Sequence, residues 1–325
     1  MKIIRTPRMR IVRTPFWHLH AHSRYSVNDA MSPVADMVDQ AVAMGQPALA
    51  ITDHGNMAAS VELYQACRKA GITPFPGSEL YVVPDTAQYR LDRANRNKKA
   101  TMYHLGVVAF TTEGYEHLVH LSTATHKNHF HKPLADYSMF AQLAEDGLTQ
   151  GLAVTTGCYF GYLTQTLLDA GEPAALQYLY TLSSWFPGSV YVEVQNHNIE
   201  HEEGITDDEL ADTLVGLADQ AGLPVVITQD SHYLAVADRA DHDGLKRLVA
   251  FGPDPDDAVF PGDGFHLCDR GWVADHHGQR RLARGVEGLG DLLGRHTLEI
   301  PVLDSYSYAV PEVVADPLGV LTDRV

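Results

Sequence analysis

Short apolar or β-branched runs alternate along the chain with amphipathic stretches of helical spacing. The runs predict strands at 17–20, 48–52, 75–83, 103–110, 152–155, 190–194 and 225–228. Punctuation marks the helices between them. Ser32 before Pro33 reads as an N-cap with proline at the first helical position, and Gly45 closes that helix. The stretch 56–70 is closed in the same way by Gly71. Thr206 opens a helix with Glu209 placed for a capping box, and Gly222 with Pro224 ends it. Strand, helix and strand in repetition predict parallel strands joined by crossovers, in an open sheet or a closed barrel. Two insertions interrupt the pattern, a basic stretch at 85–100 (RLDRANRNKK) and a histidine-rich one at 126–137. After residue 250 a Pro/Gly/Asp loop (GPDPDDAVFPGDG) leads into a weakly periodic tail. The expected organisation is a basic arm over 1–15, a barrel domain over 16–250, and an extension over 251–325 that packs on or follows the barrel.

Composition narrows the class. The 325 residues carry 41 acidic and 24 basic side chains, a net charge of −17, and are 45% hydrophobic and 20% charged. That is globular chemistry with ample material for a core. No apolar run approaches the ~18 residues that span a bilayer, so no membrane association is expected. The N-terminal stretch is basic and broken by Pro7 and Pro15, unlike a secretory signal. Three cysteines, Cys67, Cys158 and Cys268, form no CxxC pair, which predicts a reducing, cytoplasmic setting. The acidic balance disfavours nonspecific binding of nucleic acid over the whole surface and leaves a local basic groove or a metal-mediated phosphate site open. Against three cysteines stand 18 histidines.

Their arrangement is ordered. The first predicted strand delivers His18, His20 and His22, with Asp29 in the loop beyond. The second runs into Asp53 and His54, the third carries Glu79, and the fourth opens with His104. The fifth ends at Gly157 and Cys158, the sixth at Gln195, Asn196 and His197, and the seventh at Asp230, Ser231 and His232. In parallel α/β architectures ligands bind at the carboxyl ends of the strands. Residues i and i+2 of a strand point the same way, so an HxH or DxH pair aims two donors at one point. About nine donors exceed one tetrahedral ion and imply two or three divalent ions with a bridging carboxylate such as Glu79. Mixed imidazole, carboxylate and thiolate donors suit zinc, manganese or iron(II) better than magnesium. Such a cluster serves phosphoryl chemistry: ions neutralise phosphate oxygens and lower the pKa of water toward ~7, while a carboxylate or histidine handles the proton on the leaving oxygen.

The motifs LHAHSRYSVND, GQPALAITDHGNM and AGITPFPGSELYV resemble the polymerase-and-histidinol-phosphatase (PHP) domain. They are closest to the PHP domain at the N-terminus of the bacterial DNA polymerase III alpha subunit. MYHLGVVAFTTEGYEHLVHLS, GLAVTTGCYFG, VYVEVQNH and GLPVVITQDSHY continue the resemblance in order, over about 16–270. It implies a distorted seven-stranded (β/α)7 barrel with a trinuclear metal site. Carried across by residue, it implies one ion on His20, His22, Asp230 and Glu79. A second would sit on Asp29, His54 and His232, and a third on His104, Cys158 and Glu79. Asp29, Glu79, His104 and Asp230 are the expected catalytic groups, with His18 outside the ligand set. The resemblance stops where a polymerase's palm, fingers and thumb would begin. Asp254, Asp256 and Asp257 read as an acidic turn, so a separately encoded polymerase is the expected partner.

The implied activity is 3′→5′ exonuclease action on the primer 3′ end of DNA, of proofreading type. A small-molecule phosphatase or pyrophosphatase is the alternative enzyme, and a non-catalytic, metal-stabilised module docked to a polymerase is the alternative of another class. His197 is a candidate phosphate contact. Arg90, Arg93, Arg96, Lys98 and Lys99 could grip a DNA backbone, with Tyr89 and Tyr103 as sparse stacking aromatics. His117, His120, His126, His129 and His131 follow no strand that would fix them and read as a solvated or substrate-facing stretch rather than a metal site.

Overall fold

A computed structural model describes residues 15–96, 101–201, 204–250 and 252–300. The arm, Lys98, Lys99 and the end of the tail lie outside the described residues. Seven strands form one curled sheet: β1 (Ala48–Ile51), β2 (Thr73–Val83), β3 (Tyr103–Ala109), β4 (Leu134–Asp136), β5 (Leu152–Thr155), β6 (Val190–Val194) and β7 (Val225–Ile227). Their order is β1-β2-β3-β5-β6-β7, and β4 meets β2 beyond the stretch that β1 pairs. The gap between β1 and β7 is filled by the chain around 16–22. His18 bridges Leu49 and Ala21 bridges Ser231, with His22 N–H donating to the Ser231 carbonyl at 2.7 Å. The architecture is the α/β, seven-stranded, barrel-like one expected of the PHP type.

Three expectations change. The run at 17–20 is a pair of isolated bridges rather than a regular strand, and the seventh strand is β4, inside the histidine-rich insertion. The sheet is not all parallel: β3 runs antiparallel to both β2 and β5. The basic insertion holds a helix, α3 (Thr86–Ala94), whose N-cap Asp85 accepts from Gln88 N–H at 2.7 Å.

Helices α1 (Val34–Ala43), α2 (Ser60–Ala70), α4 (Thr112–Lys127), α5 (Tyr137–Glu145), α6 (Tyr162–Ala170), α7 (Glu172–Trp185) and α8 (Asp207–Ala221) surround the sheet. The Thr206–Glu209 capping box is present, and Gly222 takes the left-handed conformation (φ 68°) that ends α8. The first helix starts later than Ser32 suggests, with Pro33 as N-cap and no side-chain cap. Pro74 and Pro76 sit in the half of β2 that pairs with β1 and not with β3, where their missing N–H groups are tolerated.

Strand alternation splits the core in two. Val107, Val154, Val192 and Val225 face the helices α4 to α8, while Phe75, Val108, Ala153, Tyr191 and Val226 face the barrel interior. The interior is plugged by α10 (Arg270–Gly294, broken at Gly278), through Val273, Leu282, Val286, Leu289 and Leu292. A Cβ on Gly285 would strike the Ile227 side chain and one on Gly288 the Val225 backbone, so glycine is what lets α10 lie directly on β7. Trp17, fully buried, stacks on Phe75 at 4.7 Å and donates from Nε1 to the Leu289 carbonyl. Among the described residues no helix is long and apolar enough to cross a membrane.

Candidate metal centre

The interior face that is apolar at one end becomes polar at the other. Along β2 the interior series runs Phe75, Gly77, Glu79; along β6 it runs Tyr191, Glu193; beyond β7 it runs Val226, Thr228, Asp230. His20 and His22 enter on the bridging segment, and His54 follows β1. Because β3 is antiparallel, its N-terminal His104 lies at the same end as the carboxyl ends of its neighbours, with Gly106 opposite both Glu79 and Thr155.

All nine predicted ligands converge. Glu79 is buried at the centre. Its Oε1 lies 3.0 Å from His104 Nδ1 and 3.4 Å from His20 Nε2, and its Oε2 lies 2.7 Å from His54 Nδ1 and 3.5 Å from His22 Nε2. Asp230 Oδ1 stands 3.2 Å from His20 Nε2 and 3.1 Å from His22 Nε2. Asp29 Oδ2 meets His54 Nε2 at 2.5 Å and His232 Nε2 at 3.3 Å. Cys158 Sγ is 3.5 Å from His104 Nδ1 and 3.8 Å from Glu79 Oε1. Donor atoms of His20, His22 and Asp230, of His22, His54 and His232, and of His54, Glu79 and His104 form three groups, each tight enough for one ion.

The outer atoms of these rings are already committed. His20 Nδ1 faces Glu193 Oε1 at 2.7 Å, His22 Nδ1 faces Ser26 Oγ at 3.0 Å, and His232 Nδ1 donates to the Asp230 carbonyl at 2.7 Å. Each ring thereby presents Nε2 inward, the arrangement by which outer partners fix a metal ligand. Asp230 holds its position with φ 45°, a strained conformation for a non-glycine residue. Asp53 accepts from Ser23 N–H, Ser23 Oγ and Ser26 Oγ, pinning the loop after the HxH pair.

A cation fits this donor set. Glu79 Oε2, Asp230 Oδ1 and His54 Nδ1 are buried and make no hydrogen bond, although His54 Nδ1 and Glu79 Oε2 are 2.7 Å apart. Buried polar atoms without partners are costly unless something else satisfies them. The electrostatics agree. Burial works against charge on Glu79, yet His104, His20 and His54 hold its carboxyl well below the usual range. Burial likewise opposes charge on His20, and Asp230, Glu193 and Glu79 override it, lifting its pKa well above the ordinary value. His54 is raised to about 10, burial being outweighed by Glu79 and Asp29. The clustered carboxylates therefore demand positive charge, which protons supply in the absence of an ion. Burial and the carboxylates of Glu79 and Asp230 push the Cys158 thiol well up, so only a cation at sulfur would release its proton.

The centre opens onto a cleft of about 640 Å³, with Asp29, His54 and His104 in its lining and Tyr81, Lys132 and Lys246 beside them. Lys246, on α9 (Arg239–Val249), pairs with Asp29 Oδ1. Lys132 lies over the Tyr81 ring at 4.9 Å. His126 also lines the cleft, whereas His117 donates to the Gln150 carbonyl within the fold. His197 is buried with Nδ1 on the Asp263 carbonyl and Nε2 unpartnered. Arg90 and Arg93 do not line the cleft: Arg90 is exposed, donates to Asn128 and covers Phe130, and Arg93 is exposed on α3. Tyr89 is buried against Phe130 and Tyr103 packs edge-on to Tyr162, so neither is a free stacking surface. Sequence reasoning passed over Glu193, Lys132 and Lys246. A lone carboxylate inside the apolar VYVEV strand was the available signal for Glu193; the lysines carried none.

The profile of the PHP domain matches residues 18–197, more than half of the chain. The chain belongs to the PHP domain family. It is similar to the DNA polymerase III subunit alpha of Treponema pallidum, 33% identical over 79% of this chain and 21% of that protein. With the Thermus aquaticus subunit the identity is 30% over 91% of this chain and 24% of that protein. The chain thus spans between a fifth and a quarter of the length of these relatives. A solved metal-dependent phosphoesterase candidate from Bifidobacterium adolescentis aligns with 87% of this chain and 98% of its own at 15% identity and a TM-score of 0.45, too loose a likeness to argue from.

Proposed function

We propose that this PHP domain is a metal-dependent phosphoesterase that removes nucleotides from DNA 3′ ends, working in association with a DNA polymerase. The observation that carries the reading is the convergence of nine donor residues at one end of the barrel, with Glu79, Asp230 and His54 atoms buried and unpartnered. His20, His22, Asp230 and Glu79 would hold one divalent ion. Asp29, His54 and His232 would hold another, and His104, Cys158 and Glu79 a third. When bound, zinc, manganese or iron(II) at these positions would supply charge against the phosphate oxygens and activate water at neutral pH.

The chain's own groups supply the rest. Glu193, Ser26 and the Asp230 carbonyl fix the rings of His20, His22 and His232. Asp29, partly exposed at the cleft, is held ionised against burial by His232 and His54 and is paired with Lys246, which suits it to bind a cation rather than to give up a proton. Lys132 and Lys246 bring positive charge to the entrance, whereas His197, buried against Phe265, does not line the cleft. Arg90 and Arg93, outside the cleft lining, would touch DNA only along its backbone, away from the bond being cut. Similarity to DNA polymerase III subunit alpha supports the assignment to DNA and to a polymerase partner.

The test is incubation of the purified protein with Mn²⁺ or Zn²⁺ and a 5′-labelled primer-template, matched or mismatched at the 3′ end, beside a His20→Ala/His22→Ala control. A ladder shortening from the 3′ end and lost in the control is expected. Intact DNA in every metal, with ions demonstrably bound, would refute exonuclease action and favour a small phosphate ester or a structural role.

A further inference from the structure

We propose that Phe160 is a stacking platform for a nucleobase at the rim of the metal centre, so that the site takes nucleotides in preference to base-free phosphate esters. The inference rests on the phosphoesterase reading and names the ligand class of that site. Single exposed hydrophobic residues are ordinary; position is what sets this one apart. Phe160 is 59% exposed, yet it directly follows the loop that carries Cys158. Its ring centroid lies 6.1 Å from the imidazole of His104, tilted by 60°.

The loop is held firmly. His104 N–H donates to the Phe160 carbonyl at 3.1 Å, Gly161 N–H to the Cys158 carbonyl at 2.8 Å, and Gly157 N–H to Glu193 Oε2 at 3.1 Å. Tyr159 braces the Phe160 ring edge-on at 5.4 Å and is itself stacked on His201 at 3.8 Å and 4°. The chain therefore presents a flat apolar ring, fixed from behind and open to solvent, next to a histidine that faces the central carboxylate. A nucleotide whose phosphate lies against the His104–Glu79 side of the centre would carry its base over that ring. Aromatic stacking suits such a task because every base offers a π face, which gives affinity without sequence preference.

The experiment uses the full chain loaded with Mn²⁺ and two non-hydrolysable ligands: the methylenephosphonate analogue of deoxyadenosine 5′-monophosphate, and the same sugar phosphonate without a base. Calorimetric titration of the wild type should show the base improving affinity on the order of tenfold to a hundredfold. Phe160→Ala should abolish that advantage while leaving the base-free phosphonate bound as before, and Phe160→Trp should retain it. Equal binding of the two ligands by the wild type, or an undiminished base advantage in Phe160→Ala, would overturn the inference and leave the phosphoesterase reading intact. Failure of both ligands to bind would overturn the two together. Hydrolysis assays do not enter, so the outcomes stay distinguishable.

Discussion

Replacing Glu193 by glutamine should weaken metal binding without altering any proposed ligand. Glu193 is buried, and its Oε1 faces His20 Nδ1 at 2.7 Å while accepting from Thr228 Oγ1 at 2.5 Å and Gln195 Nε2 at 3.0 Å. Its Oε2 accepts from Gly157 N–H at 3.1 Å. An amide can keep only one oxygen. Keeping it at the Oε1 position preserves three contacts and turns an NH₂ toward the Gly157 N–H, leaving two donors face to face. That buried mismatch costs about 1–3 kcal/mol of folding stability. The lost charge has a separate effect, because a carboxylate behind an imidazole raises its basicity as a ligand. Outer partners of this kind are worth about ten- to a hundredfold in metal affinity, or about 1.4–2.7 kcal/mol. Competition against a chromophoric chelator at pH 7.5 reads the affinity, and urea unfolding of the metal-stripped protein reads the stability. Unchanged affinity in Glu193→Gln would refute the claim that Glu193 tunes His20, whatever happens to stability.

Three further outcomes follow from the same geometry. Gly157→Ala should lower both stability and occupancy of the His104–Cys158 position, because φ is 84° and a Cβ would stand 2.6 Å from the His104 carbonyl; the left-handed conformation alone costs about 1–2 kcal/mol. Metal analysis showing wild-type stoichiometry and affinity would count against it. Trp17→Ala should destabilise by about 3–5 kcal/mol, since it empties the contact with Phe75 and removes the indole N–H that donates to the Leu289 carbonyl, and Trp17→Phe should lose less; equal denaturation midpoints for wild type and Trp17→Ala would be inconsistent with α10 as a plug. The third is acid sensitivity from His277, which is buried, donates from Nε2 to Gln229 Oε1, and has its pKa lowered to about 3, by burial first and then by Arg281. The folded protein keeps it neutral while the unfolded chain takes up a proton below about 6.5, so its stabilisation is complete above that pH and is lost as pH falls. Between pH 7.5 and 5.0 this amounts to about 2 kcal/mol, and His277→Gln should flatten the pH dependence of unfolding free energy by that amount; parallel curves would refute it.

The centre was more legible than the frame around it. His20 with His22 and Asp230 with His232 announce themselves by their i, i+2 spacing, and the structure brings those four together, although Asp230 reaches the centre through a left-handed turn rather than an extended segment. His54 follows from standing just past β1, and Glu79 from being a lone carboxylate within the apolar strand β2. Strand β4 was missed because its three residues, Leu134 to Asp136, are flanked by histidines and a proline and pair with β2 for only three positions. The bridging segment was overread for the opposite reason: Trp17 and Leu19 are apolar and buried as in a strand, but the segment completes the ring through isolated bridges. The helix α10 reads as a weak tail because Gly278 breaks it and Gly285 and Gly288 interrupt the apolar series of Leu282, Val286, Leu289 and Leu292.

His104 carries the remaining lesson. Apart from Glu79, which sits within β2, the other donors lie beyond their strands or on the bridging segment, whereas His104 stands at the start of β3, a placement that an all-parallel barrel does not accommodate. In a parallel β3 the residue would lie at the apolar end, beside the α10 plug, with Val108 at the polar end. Reversal of β3 exchanges these ends: Val108 pairs with Gly77 and Ala153 deep in the barrel, Gly106 pairs with Glu79 and Thr155, and His104 emerges beside the central carboxylate. The two antiparallel ladders are therefore a consequence of the site's chemistry read against strand alternation. A histidine at the wrong end of a strand, in a chain whose other strands agree on which end is polar, is evidence about strand direction before any coordinates are known.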